Sequence, residues 1–302
     1  MRCGKNTKHL EKNVIQQKVI KLLFGSNSYL GQNIILGNES RIYDWMGTSR
    51  EPKNNILKDK NFTFIENDII NDGNKFKHLE VDEIYITSRP NSNDFDENIA
   101  FHSNLKKILL QLCTNHQVSK IVFASSQMVY KITHDDVDLD TETMPYNVYE
   151  YFKLDMEIFL KLLYLKHNIP SISIYRLPLL FGGQINKKQI EEQYLYNFIK
   201  NFHNGYFWKF ANDFKKSYGA SWCYLPDLVE QFNKTIDGYN IINVSSGFVN
   251  YFELNKFMLK NVDTNFVGLQ KLYESRMKMK ADQDIPQRNF LEILVDILAK
   301  NQ

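Results

Sequence analysis

Long apolar runs are missing from this chain. No segment reaches the roughly 18 uninterrupted apolar residues that a membrane-spanning helix needs, so no membrane partner or span is expected. Cysteine is scarce as well: Cys3, Cys113 and Cys223 are odd in number and far apart. They form neither a disulfide framework nor a metal-ligand spacing, which fits a reducing, cytoplasmic setting and no bound metal. An excess of either charge is also absent. The 37 lysines and arginines nearly balance 35 aspartates and glutamates, leaving a net charge of +2 and no electrostatic argument for nucleic acid as partner. No repeat of fixed period and no low-complexity tract is found.

What is present is enough apolar material for a full-sized core. With 302 residues, 43% hydrophobic and 14% aromatic, the chain is expected to form one large domain or a domain with a smaller lobe. Its first 17 residues, "MRCGKNTKHLEKNVIQQ", are polar and lysine-rich without an apolar stretch of signal-peptide length, and are expected to be a loose extension. The positive bias of "TNFVGLQKLYESRMKMKADQ" reads as a solvated helix face.

Strand-like runs alternate with longer helical patterns. The strand candidates are 18–24, 41–47, 62–66, 83–88, 120–125, 171–177 and 240–245. The helix candidates lie near 29–37, 97–116, 148–167, 186–204, 226–236, 251–261 and 287–299. This alternation predicts an α/β fold with a doubly wound, mostly parallel sheet covered on both faces. Ligands of such sheets bind beyond the carboxyl ends of the strands. The expected division is a sheet domain over 18–178 and 226–250, with a smaller C-terminal lobe over 179–225 and 251–302.

Directly after the run "KVIKLLF" comes "GSNSYLG". A loop between a buried strand and a helix offers free amides and a helix dipole, which together favour a pyrophosphate. Gly25 would supply the tight turn and Gly31 the close helix-to-strand packing, while Ser28 stands where a G-x-x-G-x-x-G pattern has its middle glycine. By itself the motif fits an ordinary turn equally well.

A hundred residues later, "KIVFASSQMVY" ends a strand in a serine pair, and 23 residues after Ser126 comes "YEYFK". Tyr149 and Lys153 are four apart, hence on one helix face. A tyrosine has an unperturbed pKa of about 10, and a nearby ammonium favours its phenolate. A strand-end serine can bond the same substrate oxygen, polarising a carbonyl while the tyrosine gives or takes its proton.

At this point the sequence resembles the extended short-chain dehydrogenase/reductases, the NAD-dependent epimerase/dehydratase family, from about residue 18 to 250. The matching pieces are "GSNSYLG", Asp68 in "ENDIIND", Asn98 and Asn104 in "NIAFHSNLKK", "SSQMVY", "YEYFK" and "YRLPLLFGG", in the family's order. The resemblance implies a Rossmann-type sheet with a C-terminal substrate lobe and catalysis by Ser126, Tyr149 and Lys153. It implies a dinucleotide held by Gly25, Ser28, Tyr29, Leu30, Gly31, Ser49, Arg50, Asp68 and Lys153, and a nucleotide-sugar substrate. Ser126 is chosen over Ser125 because it lies four residues before Tyr130 of "VY", as in the family. The helices at 97–116 and 148–167 resemble those that pair in family homodimers.

Cofactor choice can be argued at the end of the second strand, where Thr48, Ser49 and Arg50 provide no carboxylate for a ribose 2′-hydroxyl. Arginine with neighbouring hydroxyls suits a 2′-phosphate, which favours NADP(H) over NAD(H). Gln127 and Met128 stand where the dehydratase branch carries acidic residues, so no acid for eliminating water is evident. Leu179 and Ala220 stand where many relatives hold the substrate diphosphate with asparagine and arginine, and Lys209, Lys215 or Lys216 could substitute as point charges. These features favour NADPH-dependent reduction of a nucleotide-linked 4-keto-6-deoxyhexose. An NAD-dependent sugar-nucleotide epimerase is the alternative, and a catalytically inactive dinucleotide-binding subunit is the third.

Overall fold

The computed structural model describes residues 19–37, 43–49, 62–66, 68–70, 73–76, 78–90, 94–133, 136–184, 193, 206–207, 219–261, 268–269, 276–281 and 285–300. In chain order its first half contains β1 (Val19–Phe24), α1 (Tyr29–Leu36), β2 (Tyr43–Ser49), β3 (Phe62–Glu66), β4 (Glu83–Ile86), α2 (Phe95–Asn115), β5 (Lys120–Ser126) and β6 (Asp136–Val137). There follow α3 (Val148–His167), β7 (Ser171–Leu177), β8 (Leu179–Phe181), β9 (Tyr206–Phe207), β10 (Gly219–Tyr224) and α4 (Leu225–Asn233). The chain continues through β11 (Gly238–Asn243), β12 (Gly247–Asn250), α5 (Tyr251–Asn261), β13 (Gly268–Leu269), β14 (Arg276–Met279) and α6 (Phe290–Lys300).

All seven strand candidates are found in one sheet of order β11-β7-β5-β4-β1-β2-β3, every pair parallel. This is the Rossmann-type doubly wound arrangement that the alternation predicted. The chain order reverses between β1 and β4, so their carboxyl ends open a crevice at the switch point. Both faces are covered, one by a core containing Leu23, Ile34, Tyr175 and Phe232, the other by one containing Phe24, Ile84, Leu109 and Leu160.

The helices begin where local chemistry says they should. Asp94 caps α2 by accepting from Glu97 N at 2.9 Å, with Asp96 and Glu97 in the first turn to complement the dipole. A reciprocal cap starts α3: Asn147 accepts from Glu150 N at 3.0 Å, and the Glu150 carboxylate reaches back to Tyr146 N at 2.6 Å. That helix ends at Asn168 in the left-handed region, φ 52°.

A second sheet runs β12-β10-β14-β6, with β8 also paired to β10. Two expectations change here. Residues 247–250, expected in the larger domain, pair antiparallel with β10 in the smaller sheet. "RMKM" within the basic stretch is a strand, not a helix face, because it pairs with β10 and β6 and puts Met279 in the core while Lys278 stays exposed. The helix expected at 186–204 lies, Gln193 apart, outside the described residues, as do the N-terminal 17.

Candidate active site

Phe24, Ile86 and Phe123 stand level across β1, β4 and β5. The segments beyond these three residues therefore converge, and they carry Gly25, Ser88 and Ser126. Gly25 has φ +91°, and a β-carbon there would lie 2.7 Å from Ser88 N and 2.8 Å from Ser88 Cα. A β-carbon on Gly31 would lie 2.2 Å from Gly25 O. Both glycines are thus required by close backbone approach, the first also by its positive φ.

The loop is anchored to β2, since Gly25 N and Ser26 N both donate to Thr48 O at 3.1 Å. Asn27 Nδ2 donates to Ser49 Oγ at 3.0 Å. Ser28 is the N-cap of α1 and accepts from Gly31 N at 2.9 Å. Its hydroxyl therefore occupies one of the helix-end donors that an anion would use. Tyr29 and Leu30 form the first turn of α1. Arg50 lies outside the described residues. Asp68 accepts from Ile70 N at 3.1 Å in its own turn, and Asn104 Nδ2 donates to Ile70 O at 2.6 Å, which ties that turn to α2. Asn98 is buried and donates to Asp94 O at 2.5 Å, serving the start of α2.

At the end of β5, Ser126 Oγ accepts from Met128 N at 3.1 Å. Tyr149, in the first turn of α3, lies close enough to Ser126 for the serine hydroxyl to act on its phenol, so these sequence-distant groups are brought together. Lys153 is buried and donates from Nζ to Ala124 O at 2.6 Å. Its Nζ lies 5.6 Å from the Tyr149 ring centroid, beneath the ring rather than at the hydroxyl.

The electrostatics correct one expectation. The Tyr149 phenol is not held down overall. Desolvation pushes its pKa up although the residue as a whole is 39% exposed, opposed by the Ser126 hydroxyl and the charge of Arg89. Lys153 is pulled down from 10.5 to about 7, by burial first and then by Arg89, while Glu157 opposes the fall.

Sequence reasoning missed Arg89 and Glu157. Glu157 is buried and accepts from Arg176 Nε at 3.1 Å and Nη2 at 2.7 Å, and from Ser125 Oγ at 2.5 Å. Arg176 stacks 4.6 Å from the Tyr130 ring centroid, and Tyr130 donates to Asn243 Oδ1 at 2.8 Å. This network ties α3 to β5 and β7 directly behind the serine pair. A signal existed: Glu157 is four residues after Lys153 on a core-facing helix, and Arg176 interrupts an apolar strand, so each needed a partner.

A family model described as the NAD dependent epimerase/dehydratase family matches residues 21–244. The chain belongs to that family. It is therefore an enzyme of the extended short-chain dehydrogenase/reductase type, as the motifs implied. The UDP-glucose 4-epimerase of Thermotoga maritima, solved with UDP-glucose, has a TM-score of 0.76 at 12% identity, covering 94% of this chain and 99% of that one. The UDP-glucuronic acid 4-epimerase of Bacillus cereus, solved with UDP-glucuronic acid and NAD, gives 0.72 at 18% identity over 94% and 100%. The Helicobacter pylori ADP-L-glycero-D-manno-heptose-6-epimerase gives 0.75 at 16% identity over 94% and 96%. At such identities the likeness is one of fold. Comparison with curated proteins by sequence finds no match.

As a member of the epimerase/dehydratase family the chain should accommodate a dinucleotide at the switch point, and its residues fit one. Gly25 and Gly31 leave room for close approach to the α1 N-terminus. Two buried polar atoms beside the crevice, Ser88 Oγ and Gln127 Oε1, have no hydrogen-bond partner among the described residues. Such orphans point to a polar ligand. Against the family's substrate pattern, Leu179 pairs with Trp222 and packs on the core, and Ala220 is buried. Neither can hold a diphosphate. The candidate substitutes Lys209, Lys215 and Lys216 lie outside the described residues. No group of metal-binding side chains occurs among the described residues, and no helix there is long and apolar enough to cross a membrane.

Proposed function

We propose that the protein is an NAD(P)-dependent epimerase that inverts a hydroxyl-bearing carbon on the sugar of a nucleotide-linked substrate, through a transient keto group that is reduced again on its other face. The observation that carries this reading is the meeting of Ser126, Tyr149 and Lys153 at the carboxyl end of β5. Ser126 orients the sugar oxygen, and Tyr149 takes its proton during oxidation and returns it during reduction. Lys153 holds the ribose next to the reacting end and, with Arg89, offsets the burial that opposes a phenolate. The bound dinucleotide supplies the hydride acceptor and donor.

Gly25, Ser28, Tyr29, Leu30 and Gly31 are the residues proposed to receive the pyrophosphate, with Ser49, Arg50 and Asp68 toward the adenosine. Support for epimerisation over net reduction comes from the solved relatives, which are named as epimerases of UDP- and ADP-linked sugars. Reduction of a 4-keto-6-deoxyhexose by NADPH is the second reading, favoured by the absence of a carboxylate at Thr48, Ser49 and Arg50. Gln127 in place of an acid argues against dehydration in either case. An inactive binding subunit is disfavoured because it has no chemical need for all three catalytic groups.

We also propose the division into a larger sheet domain and a smaller substrate lobe, and a cytoplasmic homodimer. The dimer reading is supported by exposed Phe95 and Ile99 on α2 and exposed Tyr151, Ile158, Leu162 and Leu165 on α3. A hollow of about 310 Å³ shares Phe95 and Tyr151 with this face. For the activity, the protein would be incubated with nucleotide sugars and either NAD or NADPH. Epimer formation without net change in cofactor supports the proposal, and stoichiometric NADPH oxidation supports the second reading instead.

A further inference from the structure

Among the described residues, positive charge at the reacting end outweighs the carboxylates that answer it. Lys153 is buried in α3, and Arg89 is exposed just past β4. Two carboxylates act on the same end, and both are already engaged. Glu157 is held by Arg176 and Ser125. Glu150 accepts from Tyr146 N and from Asn147 Nδ2, each at 2.6 Å. Arg89 makes no hydrogen bond or ion pair among the described residues. Gln127, next to Ser126, is an amide and leaves the imbalance uncorrected.

The position of Arg89 narrows its purpose. Ile86 of β4 is level with Phe123 of β5; the chain leaves the sheet after Ile86 while β5 runs on to Ser126, so Arg89 and Ser126 both come three residues beyond that shared level. Its charge acts on Tyr149 and on Lys153, the two groups of the reacting end. The pyrophosphate, by contrast, is provided for at the α1 N-terminus, where Gly25 meets the backbone of Ser88. A guanidinium presents a planar fork that matches a carboxylate in two parallel hydrogen bonds. A neutral hexose offers it no such partner.

We propose that Arg89 is a specificity-determining residue that receives a carboxylate carried by the substrate sugar close to the reacting carbon, so that the preferred substrates are nucleotide-linked uronates. This rests on Ser126, Tyr149 and Lys153 being the reacting centre for a nucleotide-linked sugar. The carboxylate pairs with the Arg89 fork while the neighbouring keto or hydroxyl oxygen meets Ser126 and Tyr149. One anchored group then fixes which ring carbon faces the reacting end.

The test is calorimetric titration of the full chain, saturated with NAD, against UDP-glucuronic acid and UDP-glucose as probes. The wild type should bind the uronate more tightly than the neutral sugar, and Arg89→Gln should weaken the uronate alone by roughly tenfold to hundredfold. Arg89→Lys should restore part of that loss, while NAD affinity in either variant should not fall, since the pyrophosphate has its own site. Equal binding of both probes by the wild type, or equal losses in Arg89→Gln, overturns the assignment while leaving the nucleotide-sugar reading in place. A parallel loss of NAD affinity overturns it too, giving Arg89 to a cofactor phosphate. If the wild type binds neither probe, the nucleotide-sugar reading itself fails.

Discussion

Lys153 donates its ammonium to the main-chain carbonyl of Ala124 at 2.6 Å, inside the protein and beneath the Tyr149 ring. The bond fixes the head group, yet burial and the neighbouring Arg89 bring its pKa down to about 7. The charged form therefore predominates below about pH 7 and is lost above it. A dinucleotide is anionic and favours the charged form, so its affinity should fall as pH rises through this range. By linkage, binding near pH 7 to 8 should take up protons, measurable as a buffer-dependent heat in calorimetry. Binding without proton uptake would mean that Lys153 is fully charged before the cofactor arrives.

The Gly25 loop makes opposite predictions for two substitutions. Gly25→Val should abolish dinucleotide binding, because its β-carbon would meet Ser88 N at 2.7 Å and its backbone would be held at φ +91°. Ser28→Gly should cost only a few tenths of a kcal/mol of helix stability. It releases the Gly31 amide that Ser28 Oγ now occupies, so cofactor binding should be retained or tightened. Fluorescence titration of both variants checks this, and normal binding by Gly25→Val would make the loop an ordinary turn.

Behind the site, Glu157 and Arg176 form a buried two-pronged pair. Removing one partner strands the other's charge, so Arg176→Met should destabilise the fold by about 3–5 kcal/mol. The double variant Glu157→Met with Arg176→Met should recover much of that loss. Denaturant unfolding of the three proteins decides it; a double variant as unstable as the single one would show that Ser125 and Tyr130 depend on the charges themselves.

Much of this was legible in the sequence because the signals were local. The seven strands of the main sheet coincide with short runs rich in apolar residues, and α3 falls on the range 148–167 that its pattern marked. The placement of Ser28 at the start of α1, and of Tyr149 and Lys153 together on α3, was legible through spacing. The second sheet was not. What makes β10 and β14 strands is pairing with distant partners rather than their own pattern. Arg89 and Glu157 were missed for the same reason, since their significance comes from neighbours in space. The pKa of Tyr149 was misjudged because spacing showed a nearby ammonium but neither its place beneath the ring nor the desolvation that pushes the phenol up.

The exposed face of α2 and α3 predicts an oligomer that a charge would disrupt. Leu162 and Leu165 are 60% and 63% exposed, so replacing both with glutamate should leave the monomer's fold intact. Sedimentation should show the wild type as a dimer and the double variant as a monomer with an unchanged melting temperature. A monomeric wild type would leave the apolar stripe without this role.

The central claim is that Tyr149 moves the proton, and Tyr149→Phe tests it most directly. The ring that covers Lys153 remains, and only the hydroxyl that meets Ser126 is lost. Turnover of a nucleotide sugar accepted by the wild type should fall by about 10²–10⁴-fold. Cofactor affinity, measured separately by titration, should stay close to that of the wild type. Wild-type turnover by Tyr149→Phe would contradict the account.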